Sequence, residues 1–332
     1  MNRTFSKYQN ALDDNGMEVF PYLSIVVPAH NEEEGIVRAV EKIIAVLKET
    51  GVTEYEILVI DDGSKDATYS KIEKLNKELP QVKGIRFSRN FGKEAALLAG
   101  LRKASGQVII TIDADLQHPP NLIPEMLEKW RCGAMVVHAV KRDRSIDSVF
   151  VRLRANFFNT VCSKLGGVNI ENSSDFKLLD RSVVNVLSKD LRERQRFYRG
   201  LTDWVGFQQD SVLFDVEPRI TGTGKWSFIS LLDLALTATV SFTSAPLRIV
   251  TFLGLITLGF AFVFTSETLW SRFHGRAVSG FATLEITMLL LGSFIMISLG
   301  IVGEYIAKIF EESKARPTFI IGKTCGWDHD ND

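Results

Sequence analysis

The stretch Val-Ile-Ile-Thr-Ile-Asp-Ala-Asp-Leu-Gln-His at residues 108–118 decides the fold class of this chain. An apolar, β-branched run is followed at once by acidic residues, as at the carboxyl end of a buried strand. Similar runs precede Pro28 and Asp61, and stretches with helical periodicity lie between them. The predicted strands cover 23–27, 55–60, 82–87 and 108–112, and the predicted helices cover 33–47, 66–79 and 93–103. Strands that alternate with helices predict an α/β domain with a mostly parallel sheet.

Charge and cysteine content narrow the class of protein. The 332 residues include 39 Lys and Arg against 40 Asp and Glu, so no basic excess points to nucleic acid as a partner. The three cysteines, at 132, 162 and 325, are far apart and form no CxxC pair. Isolated reduced thiols in a cytoplasmic protein are expected.

Two apolar stretches near the C-terminus predict an α-helical transmembrane hairpin. Residues 249–270 and 281–303 are 22 and 23 residues long, and each contains a single charged residue, Glu267 or Glu285. About 20 apolar residues cross the hydrocarbon core of a bilayer as a helix. More Lys and Arg lie outside the two stretches than in the loop between them, which places the N-terminal part in the cytoplasm. The alternative is a pair of buried core helices.

The sequence divides into five predicted segments. They are a flexible leader at 1–21, the α/β domain at 22–225, an interfacial amphipathic helix at 226–245, the hairpin at 246–305 and a cytoplasmic C-terminal segment at 306–332. The segment at 226–245 has apolar residues at helical spacing directly before the first apolar stretch, which favours a place at the membrane surface. A core helix is an equally open alternative. Residues 319–322 are predicted to form a final strand.

Acidic side chains at the ends of two predicted strands indicate a site for a phosphorylated ligand. Asp113 and Asp115 follow one strand, and alternate carboxylates suit Mg²⁺, which binds few protein carboxylates together with phosphate oxygens. Because ligands bind at the carboxyl ends of parallel strands, a metal that bridges a nucleotide diphosphate is expected here. Asp62 follows the neighbouring strand and could accept hydrogen bonds from a ribose or a base, with Gly63 allowing close approach. The alternatives are an acidic turn at the first position and a turn before a helix at the second.

Four motifs occur in an order that resembles a known family of enzymes. They are Val-Val-Pro-Ala-His-Asn-Glu-Glu at 26–33, Val-Ile-Asp-Asp-Gly-Ser-Lys-Asp at 59–66, Arg-Asn-Phe-Gly-Lys-Glu at 89–94 and Asp-Ala-Asp-Leu-Gln-His-Pro-Pro at 113–120. Together they resemble the inverting GT-A glycosyltransferases, and within these the polyprenyl-phosphate branch of dolichol-phosphate mannose synthases and bacterial undecaprenyl-phosphate glucosyltransferases. The resemblance covers roughly residues 22–322 and implies a GT-A, Rossmann-like catalytic domain ahead of the hairpin.

The resemblance also implies the donor side of the site. The nucleotide-sugar-binding residues would be Pro28, His30, Glu32, Asp62, Asp113 and Ala114, joined by Arg219 and Lys225. The last two belong to residues 219–226, which are similar to the family's Arg-x-x-Gly-x-Ser-Lys loop, although Gly224 stands where Ser is usual. Asp115 and Gln117 would hold Mg²⁺ or Mn²⁺, which makes Asp115 one of two predicted catalytic residues.

The acceptor side is implied by residues 172–180, which are similar to the family's acceptor motif. Asp175, the second predicted catalytic residue, matches the carboxylate proposed there as a base or a sugar-positioning group. A phosphate monoester has a second pKa of about 6, so it is already an anionic nucleophile and needs no strong base. Cations are needed instead, and Arg142, Arg154 and Arg199 are predicted to bind the acceptor phosphate. A solvated charged surface is the alternative.

These assignments predict a metal-dependent enzyme of the bacterial plasma membrane with a cytoplasmic catalytic domain. The predicted reaction transfers a hexose, glucose from UDP-glucose, to undecaprenyl phosphate with inversion, and the resemblance implies a homo-oligomer. GDP-mannose and UDP-N-acetylglucosamine are the alternative donors. A processive polysaccharide synthase is disfavoured because residues 195–199 do not match its Gln-x-x-Arg-Trp motif. The alternative that is not an enzyme is a lipid- or nucleotide-binding membrane subunit.

Overall fold

A computed structural model describes residues 21–141, 173–191, 193–194, 196–214, 245–274 and 281–327. The chain divides into two compact units, of which the first comprises 1–163, 167–227 and 317–332 and the second comprises 164–166 and 228–316. The predicted leader and interfacial helix lie outside the described residues, apart from Pro21 and Ala245. The predicted site residues Arg142, Arg154, Arg219 and Lys225 also lie outside them.

In the part of the first unit that the structure describes, there are eight strands with helices between them. In chain order its elements are β1 (Leu23–Ala29), α1 (Ile36–Glu49), β2 (Tyr55–Asp61), α2 (Thr68–Glu78), β3 (Val82–Phe87), α3 (Lys93–Lys103), β4 (Val108–Thr111), a 3-10 turn (Pro120–Leu122), α4 (Ile123–Arg131), β5 (Val136–Lys141), β6 (Ser173–Asp180), α5 (Arg181–Asn185), a π-helical turn (Val186–Asp190), α6 (Tyr198–Trp204), β7 (Gln209–Phe214) and β8 (Ile321–Cys325).

The strands form one mixed sheet in the order β7-β5-β6-β4-β1-β2-β3-β8. The four strands β4, β1, β2 and β3 are parallel, which confirms the predicted α/β fold. All seven residues of β1 are buried, as expected for a central strand that is covered on both faces. Strand β6 runs antiparallel to β4 and β5, and β8 runs antiparallel to β3. The amino end of β6 therefore lies at the same edge of the sheet as the carboxyl end of β4.

Two predicted elements of this unit have the predicted bounds, and the unit's other predicted strands and helices among the described residues begin or end one to three residues away. Strand β3 and helix α3 have the predicted bounds. Strand β1 continues through Pro28 to Ala29, because its pairing with β4 ends at Val26 and no ladder donor is needed beyond it. The final strand, predicted at 319–322, is β8 at Ile321–Cys325. Phe319 lies before the paired residues, and its ring stacks on Phe87 with the ring centroids 5.0 Å apart.

Close packing of α3 on the sheet fixes where its first turn lies. A Cβ added to Gly100 of α3 would be 2.2 Å from Cγ1 of Val26 in β1. No larger residue fits without moving the helix off the strand. The helix therefore holds its first two residues, Lys93 and Glu94, at a defined place beside the ends of the central strands.

The second unit contains two long helices, α7 (Ala245–Phe273) and α8 (Phe281–Ser313). The segments Val250–Ser271 and Thr287–Ser313 within them are long and apolar enough to cross a membrane, and their apolar windows are not buried inside the structure. Helix α8 begins at the predicted residue 281 but continues past residue 303, because the chain there contains no helix breaker before Pro317.

Candidate active site

The loop that follows β4 brings three metal-binding side chains together. The ligand atoms of Asp113, Asp115 and His118 all lie within 4.8 Å of one another. Leu116, between them, has a φ of 56° although its bulky side chain is buried. A left-handed backbone at such a residue is strained, and strain of this kind is concentrated at functional sites. The loop is therefore held in a conformation that gathers its polar side chains.

His118 is a member of this group that the sequence analysis did not assign. Both of its ring nitrogens are buried and have no hydrogen-bond partner among the described residues, and Nδ1 lies 3.8 Å from Asp113 Oδ2. Burial lowers the pKa of His118, so the neutral ring keeps a lone pair that can bind a cation. The backbone N–H of Gln117 donates to Asp115 Oδ1 at 3.1 Å, and a ligand role for the Gln117 side chain stays a prediction.

Lys93 joins this loop to the predicted acceptor side. Its Nζ lies 2.6 Å from Asp113 Oδ1 and 2.5 Å from Asp175 Oδ2. Burial would lower the pKa of Lys93, but the two carboxylates raise it above its ordinary value, so the side chain stays charged. This lysine lies within the motif at 89–94, and the sequence alone predicts no role for it.

Asp175 is the most strongly paired carboxylate of the site. Arg199, from the first turn of α6, donates to it twice, from Nε to Oδ1 at 2.7 Å and from Nη2 to Oδ2 at 3.0 Å. Burial alone would raise the pKa of Asp175, but Lys93 and Arg199 hold it well below its usual range. Asp175 is therefore ionised at any working pH and is poorly suited to accept a proton. The predicted acceptor-side residues Asp175 and Arg199 do come together.

A buried polar layer supports Asp175 from within the sheet. Thr111 Oγ1 donates to the backbone oxygen of Asp175 at 2.5 Å and lies 2.9 Å from the Tyr198 hydroxyl. The ammonium of Lys177, two residues further along β6, donates to Thr202 Oγ1 in α6. Burial lowers the pKa of Lys177 to about 7 despite the opposing effect of Asp175. These contacts tie β6 to α6.

Asp62, a predicted nucleotide-binding residue, has both oxygens committed to the backbone. Phe91 N–H donates to Oδ1 at 2.7 Å and Gly92 N–H donates to Oδ2 at 2.9 Å. Next to it, Gly63 has a φ of +66°, and an added Cβ would be 2.4 Å from the backbone of Arg89. Burial raises the pKa of Asp62 against these two hydrogen bonds. Asp62 and Gly63 thus hold the loop that leads directly into Lys93.

The remaining donor-side residues that the structure describes lie near the ends of β1 and β4. His30 is exposed, with Nδ1 2.9 Å from the backbone oxygen of Asp62, and Glu32 is half-buried two residues later. Pro28 and Ala114 are buried, so their side chains shape the site without facing solvent.

Comparisons with known proteins give consistent matches. The model of the family described as Glycosyl transferase family 2 matches residues 24–188. A prophage bactoprenol glucosyl transferase homolog of Escherichia coli is 42% identical over 301 residues, which is 90% of this chain and 98% of that protein. The bactoprenol glucosyl transferase of Shigella phage SfV is 41% identical, over 90% of this chain and 97% of its own. The solved mannosyltransferase of Pyrobaculum calidifontis, in complex with GDP-Man and Mn²⁺, is 15% identical, covers 85% of this chain and 88% of its own, and has a TM-score of 0.42.

Proposed function

Because the chain belongs to glycosyl transferase family 2, we propose that it transfers glucose from UDP-glucose to undecaprenyl phosphate with inversion at the anomeric carbon. Two relatives that are 42% and 41% identical over 90% of the chain are named for glucosyl transfer to bactoprenol, which supports both the sugar and the lipid carrier. The observation that carries the proposal is the pairing of Asp175 with two cations beside a group of metal-binding side chains. Such a site suits a reaction between two anionic substrates.

On the donor side, Asp113, Asp115 and His118 would hold a divalent cation, with Gln117 as a further predicted ligand. The bound cation would stabilise the negative charge that develops on the departing nucleotide diphosphate. The unpartnered ring nitrogens of His118 fit this role. Two carboxylates and an imidazole suit Mn²⁺ better than Mg²⁺, which prefers oxygen ligands.

The nucleotide itself would lie along the ends of β1 and β4. His30 and Glu32 are the accessible side chains there, while Pro28 and Ala114 offer backbone and shape. Asp62 would hold the loop around the pocket, because both of its carboxylate oxygens already accept hydrogen bonds from backbone N–H groups. Arg219 and Lys225 remain proposed contacts to the diphosphate.

On the acceptor side, the lipid phosphate supplies the nucleophile. A phosphate monoester with a second pKa of about 6 is largely a dianion at neutral pH, so no side chain has to remove a proton. One of its oxygens attacks the anomeric carbon as the bond to the nucleotide diphosphate breaks, which inverts the configuration. Arg199 and Lys93 supply positive charge beside this path, and Asp175 orients both cations. Arg142 and Arg154 remain proposed phosphate contacts.

The two apolar helices support a place in the membrane. Each is long enough to cross a bilayer of about 30 Å, at 1.5 Å per residue. We propose that they form the predicted hairpin in the bacterial plasma membrane, with the catalytic domain in the cytoplasm and the enzyme a homo-oligomer. The polyprenyl phosphate then lies in the same membrane, which raises its effective concentration at the site.

The test uses the purified full-length protein in vesicles that contain undecaprenyl phosphate. Radiolabelled UDP-glucose, GDP-mannose and UDP-N-acetylglucosamine are supplied separately, with and without EDTA, and lipid-linked product is counted. UDP-glucose should give product, EDTA should stop it and Mn²⁺ should restore it. Asp115→Asn should abolish turnover, whereas Asp190→Asn, at an exposed position, should leave it unchanged. If no donor gives lipid-linked product, the proposed enzymatic activity is refuted. If EDTA does not reduce the amount of product, the proposed role of the metal is refuted.

A further inference from the structure

Glu94, in the first turn of α3, makes a contact that the proposed reaction does not use. Its Oε2 accepts a hydrogen bond from the backbone N–H of Tyr198 at 2.9 Å, across 104 residues of sequence. Tyr198 is the first residue of α6, and the next residue is Arg199, which is paired with Asp175. One carboxylate from α3 therefore holds the start of the helix that carries the acceptor-side arginine.

The Tyr198 N–H depends on this distant acceptor. The first N–H groups of a helix have no partner within the helix. A capping side chain accepts from the second or third helical N–H, so a cap at position 197 would not serve the N–H of Tyr198, and Phe197 makes no capping hydrogen bond. Glu94 supplies the acceptor from another element.

The apolar surroundings of Glu94 make this hydrogen bond contribute more to stability than an exposed one would. Leucines at 97, 98, 101, 187 and 201 line the gap behind the carboxylate, together with Arg196. Burial and the nearby Asp175 raise the pKa of Glu94 to about 7, while the Tyr198 N–H, Lys93 and Arg199 act in the opposite direction. A carboxyl group in such a place is costly unless it is hydrogen-bonded.

We infer that Glu94 is a positioning residue for the acceptor phosphate: by holding the backbone of Tyr198, it places Arg199 for its two-pronged contact with Asp175. This inference rests on the proposed function. The paired hydrogen bonds of 2.7 and 3.0 Å require the guanidinium to lie in the plane of the carboxylate, so a small shift of α6 disrupts them. Misplacement by about 1 Å can reduce catalysis about a hundredfold.

Three variants of the full-length enzyme test the inference. Glu94→Ala removes the acceptor of the Tyr198 N–H, Glu94→Gln keeps a carbonyl oxygen in its place, and Glu41→Ala changes an exposed glutamate on α1 as a control. Steady-state kinetics are measured separately against undecaprenyl phosphate and UDP-glucose. Amide hydrogen exchange at Tyr198 is measured by mass spectrometry in the absence of substrate.

In Glu94→Ala we expect kcat/KM for the lipid phosphate to fall about tenfold or more, with KM for UDP-glucose within about twofold of wild type. Exchange at the Tyr198 amide should be faster. Glu94→Gln should restore both measurements to within about threefold, and Glu41→Ala should match wild type. A general loss of folding would lower the apparent kcat through the fraction of active enzyme, leave both KM values unchanged, and accelerate amide exchange throughout the domain.

Unchanged lipid kinetics and unchanged Tyr198 exchange in Glu94→Ala would overturn the inference while leaving the proposed reaction intact. A rise in KM for UDP-glucose as large as the rise in KM for the lipid phosphate would overturn it too, because the effect would not belong to the acceptor side. If wild type makes no lipid-linked product, the proposed function fails, and the exchange measurement still decides whether Glu94 holds Tyr198.

Discussion

Asp62 and Asp175 are both carboxylates at the same edge of the sheet, and both are nearly inaccessible, with 4% and 7% of their surface exposed. Asp62 accepts hydrogen bonds from two backbone N–H groups, whereas Asp175 is paired with the side chains of Lys93 and Arg199. Burial raises the pKa of Asp62, but the two cations hold the pKa of Asp175 far below its usual range.

The difference shows that burial does not reveal what a carboxylate does. Neutral N–H donors fix the course of the loop around Asp62, so that residue shapes the site. Full positive charges keep Asp175 ionised and are themselves held in place by it. Lys93 joins the two halves of the site. It directly follows the loop that Asp62 holds, and its ammonium pairs with Asp175.

The loss of Lys93 should have the largest effect on activity. Lys93→Met keeps the length of the side chain but leaves Asp113 and Asp175 facing two anionic substrates. We expect kcat for lipid-linked product to fall about 100- to 1000-fold, the loss typical of one electrostatic contact in an active site. Lys77→Met, at an exposed position of α2, is the matched control. Activity within about twofold of wild type would show that Asp175 does not depend on this cation.

The pH profile of Asp175→Asn should distinguish titration of Asp175 from titration of the acceptor phosphate. Since the pKa of Asp175 lies far below its usual range, the carboxylate stays ionised in mildly acidic solution and cannot produce a loss of activity there. The rate should instead fall as the pH drops through about 6, where the acceptor phosphate gains a proton. We expect the variant to be about 10- to 100-fold slower yet to keep the same acid limb. Loss of that limb would identify Asp175 as a base.

The smallest effect should come from Asp62→Asn. The amide can accept only one of the two backbone N–H bonds, so one buried donor loses its partner. We expect the free energy of unfolding to fall by roughly 1–3 kcal/mol, with a smaller loss of turnover through the shifted loop. Thermal unfolding and kcat are compared with Asp190→Asn. A large rise in KM for UDP-glucose without loss of stability would instead show that Asp62 contacts the nucleotide.

The central strands and the acidic loop could be predicted from the sequence because local patterns encode them. Buried parallel strands leave continuous apolar runs, as in β4, whose four residues are all buried. Asp113 and Asp115 follow such a run directly. The antiparallel pairing of β6 with β4, and of β8 with β3, could not be predicted in this way. Each pair joins chain segments that are far apart in sequence.

Lys93, His118 and Glu94 were missed for a related reason. Lys93 meets Asp175 across 82 residues and Glu94 meets Tyr198 across 104, and neither distance leaves a local pattern. His118 did have a signal, the spacing Asp-x-Asp-x-x-His. Its buried ring nitrogens, which have no hydrogen-bond partner among the described residues, become visible only in three dimensions. Asp62 shows the converse, since a motif identified the residue and only the geometry showed that backbone N–H groups occupy both oxygens.

The pairing of β8 with β3 has a consequence for biosynthesis. Phe87 and Ile321 are partners in the sheet, and both long apolar helices lie between them in the chain. While the ribosome is still translating those helices, β3 has an open edge, and open edges invite association with other chains. The sheet is completed only after both helices have been synthesised. Closure of this edge is thus coupled to translation of the helices, and a chain cut short within them would carry an unprotected strand.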